Sequence, residues 1–192
     1  LSYFMMQYPK LWRKFFLNYG IDLGDTFSIS REESSKIEDS NYNHTKYPSG
    51  GRIDLMLRTK QDIVVIENKI KSDINSIEED CEGKQLRRYY NYAVWLTKNK
   101  NGNDYNKEKH FFILTPKYNI PTIEDEEMKK LYHIITYADV YKYLSENLNQ
   151  IKADSNFIAF YEAIYRHTLE NVNDYFYYEM QGKFFRRIKE LR

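Results

Sequence analysis

Residues 49–71 decide the fold of this chain and read S-G-G-R-I-D-L-M-L-R-T-K-Q-D-I-V-V-I-E-N-K-I-K. Two apolar runs flank the polar pair Lys60–Gln61, and this pattern predicts two β-strands joined by a tight turn. A turn centred on that pair sets the register of the hairpin, with these residues opposite each other: Leu57 and Val64, Leu55 and Ile66. We therefore expect an antiparallel hairpin whose apolar residues lie in the core.

The same register brings two acidic residues together near the open end of the hairpin. Asp54 on the first strand faces Glu67 on the second, and directly opposed residues have Cβ atoms about 5 Å apart. A buried carboxylate is costly to desolvate without a partner, and two opposed carboxylates also repel each other. A divalent cation such as Mg²⁺ removes this conflict because it prefers oxygen ligands. We expect Asp54 and Glu67 to bind such an ion, with the backbone carbonyl of Asn68 as a further ligand.

Lys69 lies two residues after Glu67, so alternation along the strand puts both side chains on one face of the sheet. An amine at this position could orient a water on the metal or offset charge in a phosphoryl-transfer transition state. The pattern also has a purely structural explanation, in which the two acids lie on a surface strand and are neutralised by Lys69 and Arg52. On these residues alone, both explanations stand.

The rest of the chain combines helical and strand patterns. A 3.6-residue period of apolar residues predicts helices, whereas short β-branched or aromatic runs predict strands. We expect helices over residues 1–19 (in two segments divided at Pro9), 85–98, 137–148 and 154–178, and strands over residues 26–32, 110–115 and 131–136. This order implies an α/β fold with a mixed central β-sheet flanked by helices. The first three strands form a meander, and the helix over residues 85–98 crosses over to the next strand.

That crossover helix opens with Q-L-R-R-Y, which places Gln85 and Tyr89 one turn apart on the same helical face. The succession of G-R-I-D-L, I-E-N-K and Q-L-R-R-Y resembles the PD-(D/E)XK nuclease superfamily, the group with restriction-endonuclease-like folds. The resemblance covers residues 26–115 and extends in outline to residue 148.

The resemblance implies a restriction-endonuclease-like αβββαβ core with additional C-terminal helices, in a single domain over residues 1–192. It implies that Asp54 and Glu67 are metal-binding acids, that Lys69 is the catalytic lysine, and that Gln85 and Tyr89 lie beside the active site. The implied activity is hydrolysis of phosphodiester bonds, in DNA, with Mg²⁺ or Mn²⁺. The alternative is a non-catalytic module of the same fold that binds nucleic acid or a protein partner.

The chain departs from the family pattern in two respects. Ile53 stands where the name of the motif has proline, and this change does not touch the chemistry. Many members also supply an acid from their first helix, whereas no Asp or Glu precedes Asp22 here. Because Leu1 reads as the middle of a helix, we expect upstream residues to be missing. Glu32 and Glu33, at the end of the first strand, are candidates for an additional acid and could equally be solvated edge residues.

Three arginines are candidate nucleic-acid contacts: Arg52, Arg87 and Arg88. Guanidinium groups bind phosphate, and aromatic rings beside them can stack on bases. Arg87 and Arg88 stand next to three tyrosines of the crossover helix. The alternative is an ordinary helix whose tyrosines lie in the core and whose arginines are solvated.

The composition narrows the function classes. Lys and Arg number 29 against 28 Asp and Glu, so any basic surface for nucleic acid must be local. The histidines show no zinc-like spacing, which disfavours a zinc site. No Gly-rich loop followed by Lys and Ser or Thr is present, which disfavours an NTPase.

The single cysteine, Cys81, cannot form an internal disulfide. No apolar run approaches the roughly 20 residues needed to span a bilayer, and no signal-peptide pattern is present. We therefore expect a cytoplasmic protein without membrane contact. A homodimer or a larger defence or repair complex is compatible with these residues.

Overall fold

The computed structural model describes residues 1–70, 84–151 and 155–169. The helices are α1 (Ser2–Gln7), α2 (Pro9–Leu17), α3 (Lys84–Lys98), α4 (Glu126–Leu131), α5 (Tyr137–Glu146) and α6 (Ser155–Arg166). The strands are β1 (Ser28–Ser34), β2 (Arg52–Arg58), β3 (Asp62–Asn68), β4 (Glu108–Thr115) and β5 (Tyr132–Thr136).

The predicted hairpin is formed by β2 and β3, and its core register is confirmed. The antiparallel ladder pairs Leu55 with Ile66 and Leu57 with Val64. Thr59 closes the turn, because its backbone N–H donates to the Asp62 carbonyl at 2.9 Å and its hydroxyl accepts from the Asp62 backbone N–H at 2.8 Å. Local polar contacts therefore fix the turn on which the register depends.

The five strands form one sheet in sequential order, β1-β2-β3-β4-β5. The pairs β1–β2 and β2–β3 are antiparallel, whereas β3–β4 and β4–β5 are parallel. α3 lies between β3 and β4 along the chain and supplies the crossover that a parallel pair needs. The predicted α/β class, the mixed sheet and the initial meander are confirmed.

Helices cover both faces of the sheet, and the alternation of side chains along the strands divides the core into two layers. On the first face, α1, α2, α5 and α6 pack against alternate residues of the central strands, namely Leu55, Leu57, Val64, Ile66, Phe112 and Leu114. On the second face, α3 and α4 pack against the intervening residues, which are Met56, Ile63, Val65, Phe111 and Ile113. The sheet is therefore the middle layer of three.

Several predicted boundaries were wrong: α2, β4 and α5 each differ from the prediction by two residues at one end, and β1 and α6 differ further. β1 covers Ser28–Ser34 and not residues 26–32, because it pairs along the whole of β2, from Ser28 opposite Arg58 to Ser34 opposite Arg52. α6 ends at Arg166, since the backbone N–H groups of the next two residues donate to carbonyls three residues back and form a turn. Residues 170–178 of the predicted helix lie outside the described residues. Cys81, the rest of residues 71–83 and the basic end of the chain lie outside the described residues.

α4 has no counterpart in the sequence prediction. Its start is fixed by Asp125, whose carboxylate accepts hydrogen bonds from the backbone N–H groups of Glu127 and Met128. This cap and the burial of Met128 against the second face stabilise a helix that is too short to show a clear apolar period.

Among the described residues, no helix combines the length and the apolar character needed to cross a membrane.

Replacing Phe112 with alanine should lower the free energy of unfolding by about 3–5 kcal/mol. The ring is fully buried and packs edge-on against the rings of Phe16 and Tyr19. Denaturant unfolding followed by circular dichroism measures the loss. Ile134→Ala, at a 38% exposed position on β5, is the control and should cost less than about 1 kcal/mol. Equal losses would contradict this assignment of the core.

Candidate active site

The regular pairing of the sheet stops around Asp54. The β1–β2 ladder skips Asp54 and Glu32, although it pairs the residues on either side of them. The β2–β3 ladder ends at Leu55 and Ile66, one position before Asp54 and Glu67. Glu32 also has a φ of 51°, a left-handed conformation that costs a residue with a Cβ roughly 1–2 kcal/mol. The acids therefore lie where the strands leave their regular ladder.

Asp54 lies half-buried at this point, and its carboxylate accepts a hydrogen bond from the backbone N–H of Asn68 at 2.7 Å. Burial raises the pKa of Asp54, and the negative charge of Glu32 raises it further. The Asn68 N–H and the positive charge of Lys69 oppose that shift. Asp54 is thus held against β3 by a main-chain donor, with charges of both signs nearby.

Glu67 is buried, with only 3% of its surface exposed. Its Oε1 accepts from the Gln85 amide and lies against the Lys69 Nζ, both at 3.0 Å. Its Oε2 is buried and has no hydrogen-bond partner among the described residues. Burial, followed by the negative charge of Asp54, raises the pKa of Glu67 to about 7. One oxygen of this carboxylate is therefore satisfied and the other is left for a further cation or donor.

Gln85 connects the acid to the amine. Its Oε1 accepts from Lys69 Nζ at 2.9 Å, while its Nε2 donates to Glu67 and also contacts the Tyr89 hydroxyl at 2.9 Å. Gln85 lies in the first turn of α3, and its amide thereby positions both the Glu67 carboxylate and the Lys69 amine. The structure brings these three predicted site residues together with Tyr89.

Tyr89 ties the helix to the strand that carries Asp54. Its ring is 1% exposed, and its hydroxyl donates to the backbone carbonyl of Arg52. A Cβ at Gly51 would lie 3.3 Å from the ring, and Gly51 has a φ of +99°. Both the close approach and the backbone conformation require glycine there. The G-G-R-I-D stretch therefore accommodates Tyr89 as well as carrying Asp54.

The donor set of this site fits a hard divalent cation. Asp54 and Glu67 supply carboxylate oxygens, and the buried Oε2 of Glu67 lacks a protein donor among the described residues. In the part of the chain that the structure describes, no three or more His, Cys, Asp or Glu side chains are grouped as metal ligands. The protein ligands would therefore be few, which suits Mg²⁺ because this ion usually keeps several waters. The backbone carbonyl of Asn68 stays a prediction as a ligand.

The two candidates for an additional acid have different surroundings. Glu33 forms a two-armed ion pair with Arg58, at 2.5 and 2.8 Å, and accepts from the Tyr92 hydroxyl at 3.0 Å. Arg58 also pairs with Asp104 at 2.9 Å, so Glu33 belongs to a partly buried ionic network. Glu32 is exposed and borders the same cavity as Asp54. Of the two, only Glu32 is placed to act with Asp54.

The three candidate arginines also differ. Arg87 forms a two-armed pair with Asp125, at 2.8 and 3.0 Å, and a bond of 2.5 Å to Glu127. Its charge is thus neutralised by the start of α4, which weakens its case as a phosphate contact. Arg88 lies half-buried on α3, and Arg52 is exposed at the start of β2. Arg52 is therefore the most exposed of the three.

Sequence reasoning missed Tyr137 and the side chain of Asn68. The Tyr137 hydroxyl donates to Asn68 Oδ1 at 2.7 Å, and both residues line a cavity of about 320 Å³ with Asp54 and Glu32. Burial raises the pKa of Tyr137 to about 12, so it stays protonated as a donor. No local sequence signal indicated this contact, because it depends on β3 and β5 running in the same direction, so that their carboxyl ends meet at one edge of the sheet.

Glu33→Gln should lower the free energy of unfolding by about 3 kcal/mol, because it leaves Arg58 buried with an incomplete set of partners. Glu32→Gln should change stability by less than about 0.5 kcal/mol, since Glu32 is exposed. Denaturant unfolding of both variants measures the difference. If the two variants lost the same stability, the separation of a structural from a site acid would be wrong.

Glu67→Gln should raise the melting temperature of the metal-free protein at pH 8 by several degrees and leave it nearly unchanged at pH 5. The folded protein keeps the Glu67 proton up to about pH 7, whereas the unfolded chain releases it near 4.5. The stability of the wild type therefore falls as the pH rises through this interval, and the neutral amide removes that loss.

Thermal unfolding in EDTA at the two pH values measures this effect. Glu162→Gln, at an exposed position of α6, is the matched control and should show no such pH-dependent gain. A Glu67→Gln variant that melts below the wild type at pH 8 would contradict the assignment of a strained carboxylate.

The family of the chain agrees with this geometry. A protein-family model described as the PD-(D/E)XK nuclease superfamily matches residues 9–167. No curated protein matches the chain. The matched residues contain the whole described sheet, and the α/β architecture with a mixed five-stranded sheet is consistent with a restriction-endonuclease-like fold. The chain belongs to the PD-(D/E)XK nuclease superfamily.

Proposed function

We propose that this protein is a divalent-metal-dependent nuclease that hydrolyses phosphodiester bonds in DNA. The observation that carries this proposal is the buried Oε2 of Glu67, which has no donor among the described residues and lies beside a second acid and a lysine. Either protonation or a bound cation relieves a carboxylate in this state, and membership of a superfamily of nucleases favours the cation.

Asp54 and Glu67 would hold the cation, which we expect to be Mg²⁺ or Mn²⁺. Such an ion, when bound, supplies Lewis acidity toward the phosphoryl group and lowers the pKa of a water ligand. Because a cation binds the deprotonated carboxylate, affinity for the ion should fall when Glu67 is protonated below about pH 7.

Lys69 would act on the reacting groups. Its amine is held between Glu67 Oε1 and Gln85 Oε1 at 3.0 and 2.9 Å. A fixed ammonium can orient the attacking water and offset the negative charge that develops on the phosphoryl oxygens. Lys69 is therefore the residue whose loss should affect turnover most directly.

Gln85 and Tyr89 would be positioning residues. Neither needs to touch the substrate, since Gln85 orients Lys69 and Glu67, while Tyr89 holds Gln85 against the backbone of Arg52. Conservative changes at these positions should therefore weaken the geometry of the site without removing a ligand.

We also propose that the substrate is DNA and that the protein acts in the cytoplasm. The net charge of +1 supplies little general attraction for a polyanion. Contacts with phosphate must then come from local groups such as Arg52 and Lys69. A second copy of the chain or a larger complex could enlarge such a surface.

Asp54→Asn, Glu67→Gln and Lys69→Met should each reduce metal-dependent cleavage of DNA by at least about 10²–10³-fold. Each variant removes either a ligand charge or the ammonium while keeping the size of the side chain. Cleavage of linear, circular, single-stranded and branched DNA, assayed with Mg²⁺, Mn²⁺ or EDTA, measures the loss. RNA of the same sequence tests the choice of DNA.

Lys60→Met, in the exposed turn of the same hairpin, is the matched control for the loss of a lysine and should cleave like the wild type. A parallel titration with Mn²⁺ should raise the melting temperature of the wild type but not of Glu67→Gln. A wild-type protein that binds DNA without cleaving any of the substrates would contradict the proposal and favour the non-catalytic module.

A further inference from the structure

A groove of about 470 Å³ lies outside the candidate active site, between α3 and the loop over residues 41–47. Its volume falls within the roughly 300–1,000 Å³ typical of pockets that bind small organic molecules. None of the residues that line it is acidic. Four aromatic side chains line it, namely Tyr42, Tyr47, Tyr90 and Trp95.

The helical wall of the groove is fixed by aromatic contacts. The ring of Tyr90 packs against Phe111 of β4, with centroids 5.7 Å apart. The Trp95 indole stacks on Tyr92 at 6.2 Å with an interplanar angle of 21°. Because these contacts already hold the two rings in place, binding a ligand against them would cost little additional side-chain entropy.

The loop wall is fastened to the same helix. Asn91 donates its side-chain amide to the carbonyl of Pro48 at 2.8 Å and is itself buried. The rings of Tyr42 and Tyr47 lie 6.4 Å apart on this loop, and Tyr47 is 44% exposed. The groove thus presents an accessible ring opposite a fixed wall.

The charges around the groove favour an anionic partner with flat rings. Lys98 lines one end, and the Nζ of Lys46 lies 5.1 Å from the centroid of the Tyr47 ring. Aromatic rings next to ammonium groups are the combination that binds nucleobases and their phosphates in single strands.

The groove and the candidate active site share α3, although the residues that form them lie on different faces of this helix. Asn91 follows Gln85 by six residues, a rise of about 9 Å along the helix. A nucleic-acid strand advances about 3.4 Å per nucleotide, so a strand cleaved near Gln85 would reach the groove within a few nucleotides. Bases inside a duplex are stacked on each other and are not free to lie on these rings.

On the basis of the proposed nuclease function, we propose that this groove binds an unpaired base of the substrate strand. The enzyme would then act on single-stranded DNA or on duplexes with unpaired positions a few nucleotides from the cleaved bond. Tyr47 and Trp95 are the residues that would stack on the base, and Lys46 and Lys98 would contact the flanking phosphates.

The test compares a 12-nucleotide single-stranded DNA with an abasic strand of the same length, which has the same phosphates but no bases. In EDTA, which prevents turnover, the wild type should bind the base-bearing strand about tenfold more tightly. Tyr47→Ala should lose most of that preference, and Tyr47→Phe should keep it. Tyr105→Ala, at a 47% exposed position in the loop before β4 that does not line the groove, is the matched control and should bind like the wild type.

Tryptophan fluorescence supplies a second readout. The chain has two tryptophans, and Trp12 is only 2% exposed in the core. Quenching by the base-bearing strand should therefore come from Trp95 and should disappear in Trp95→Phe. The abasic strand should quench much less.

Equal affinity of the wild type for both strands overturns the proposal, and so does a Tyr47→Ala variant that keeps the preference for bases. Either result would leave the groove as a site for a protein partner or as an element of packing. These outcomes are separate from failure of the nuclease proposal, because that failure shows as the absence of metal-dependent cleavage whatever the affinity for either strand.

Discussion

The burial of the Glu67 carboxylate is the constraint on which the rest of the site depends. A carboxylate that is 3% exposed must obtain hydrogen bonds and positive charge from its surroundings or become neutral. Lys69 and Gln85 satisfy one oxygen, and the sheet in turn fixes Lys69. Its backbone N–H donates to the Leu114 carbonyl at 2.8 Å, and its carbonyl accepts from the Thr115 hydroxyl at 2.9 Å. Lys69 is therefore positioned by the parallel pairing of β3 with β4 as well as by the β2–β3 hairpin.

α3 connects the site to the rest of the molecule because its faces make different contacts. Gln85 and Tyr89 face the site, Leu86 and Ala93 pack in the core, and Trp95 lines the outer groove. Arg87 fastens the first turn of the helix to Asp125 at the start of α4. A shift of the helix along its axis would thus disturb the Gln85 contacts, the core and the groove together.

The sequence predicted the features that depend on residues close together along the chain. Strand alternation and a polar turn were sufficient for the register of β2 and β3, because a slip by one residue would expose every apolar side chain. The nearness of Gln85 to Lys69 came from the family resemblance, since no local pattern joins β3 to a helix that begins at Lys84.

The features that were not predicted depend on partners distant in the chain. Glu33 is distinguished from Glu32 by Arg58, which lies on another strand. The charge of Arg87 is neutralised by a cap 38 residues later. Tyr137 reaches Asn68 only because two parallel strands end at one edge.

The structural explanation of the acids, a surface pair neutralised by Lys69 and Arg52, does not account for their surroundings. Glu67 is buried, Arg52 is exposed, and Lys69 satisfies only one of the two Glu67 oxygens. A buried ion pair kept for stability alone gains little over an apolar pair of the same size, and here the charge of Asp54 makes the cost larger. The second acid, the unsatisfied oxygen and the raised pKa are all unfavourable in the absence of a cation. One divalent ion would relieve all three at once, and this is the physical reason to propose a metal site at this corner of the sheet.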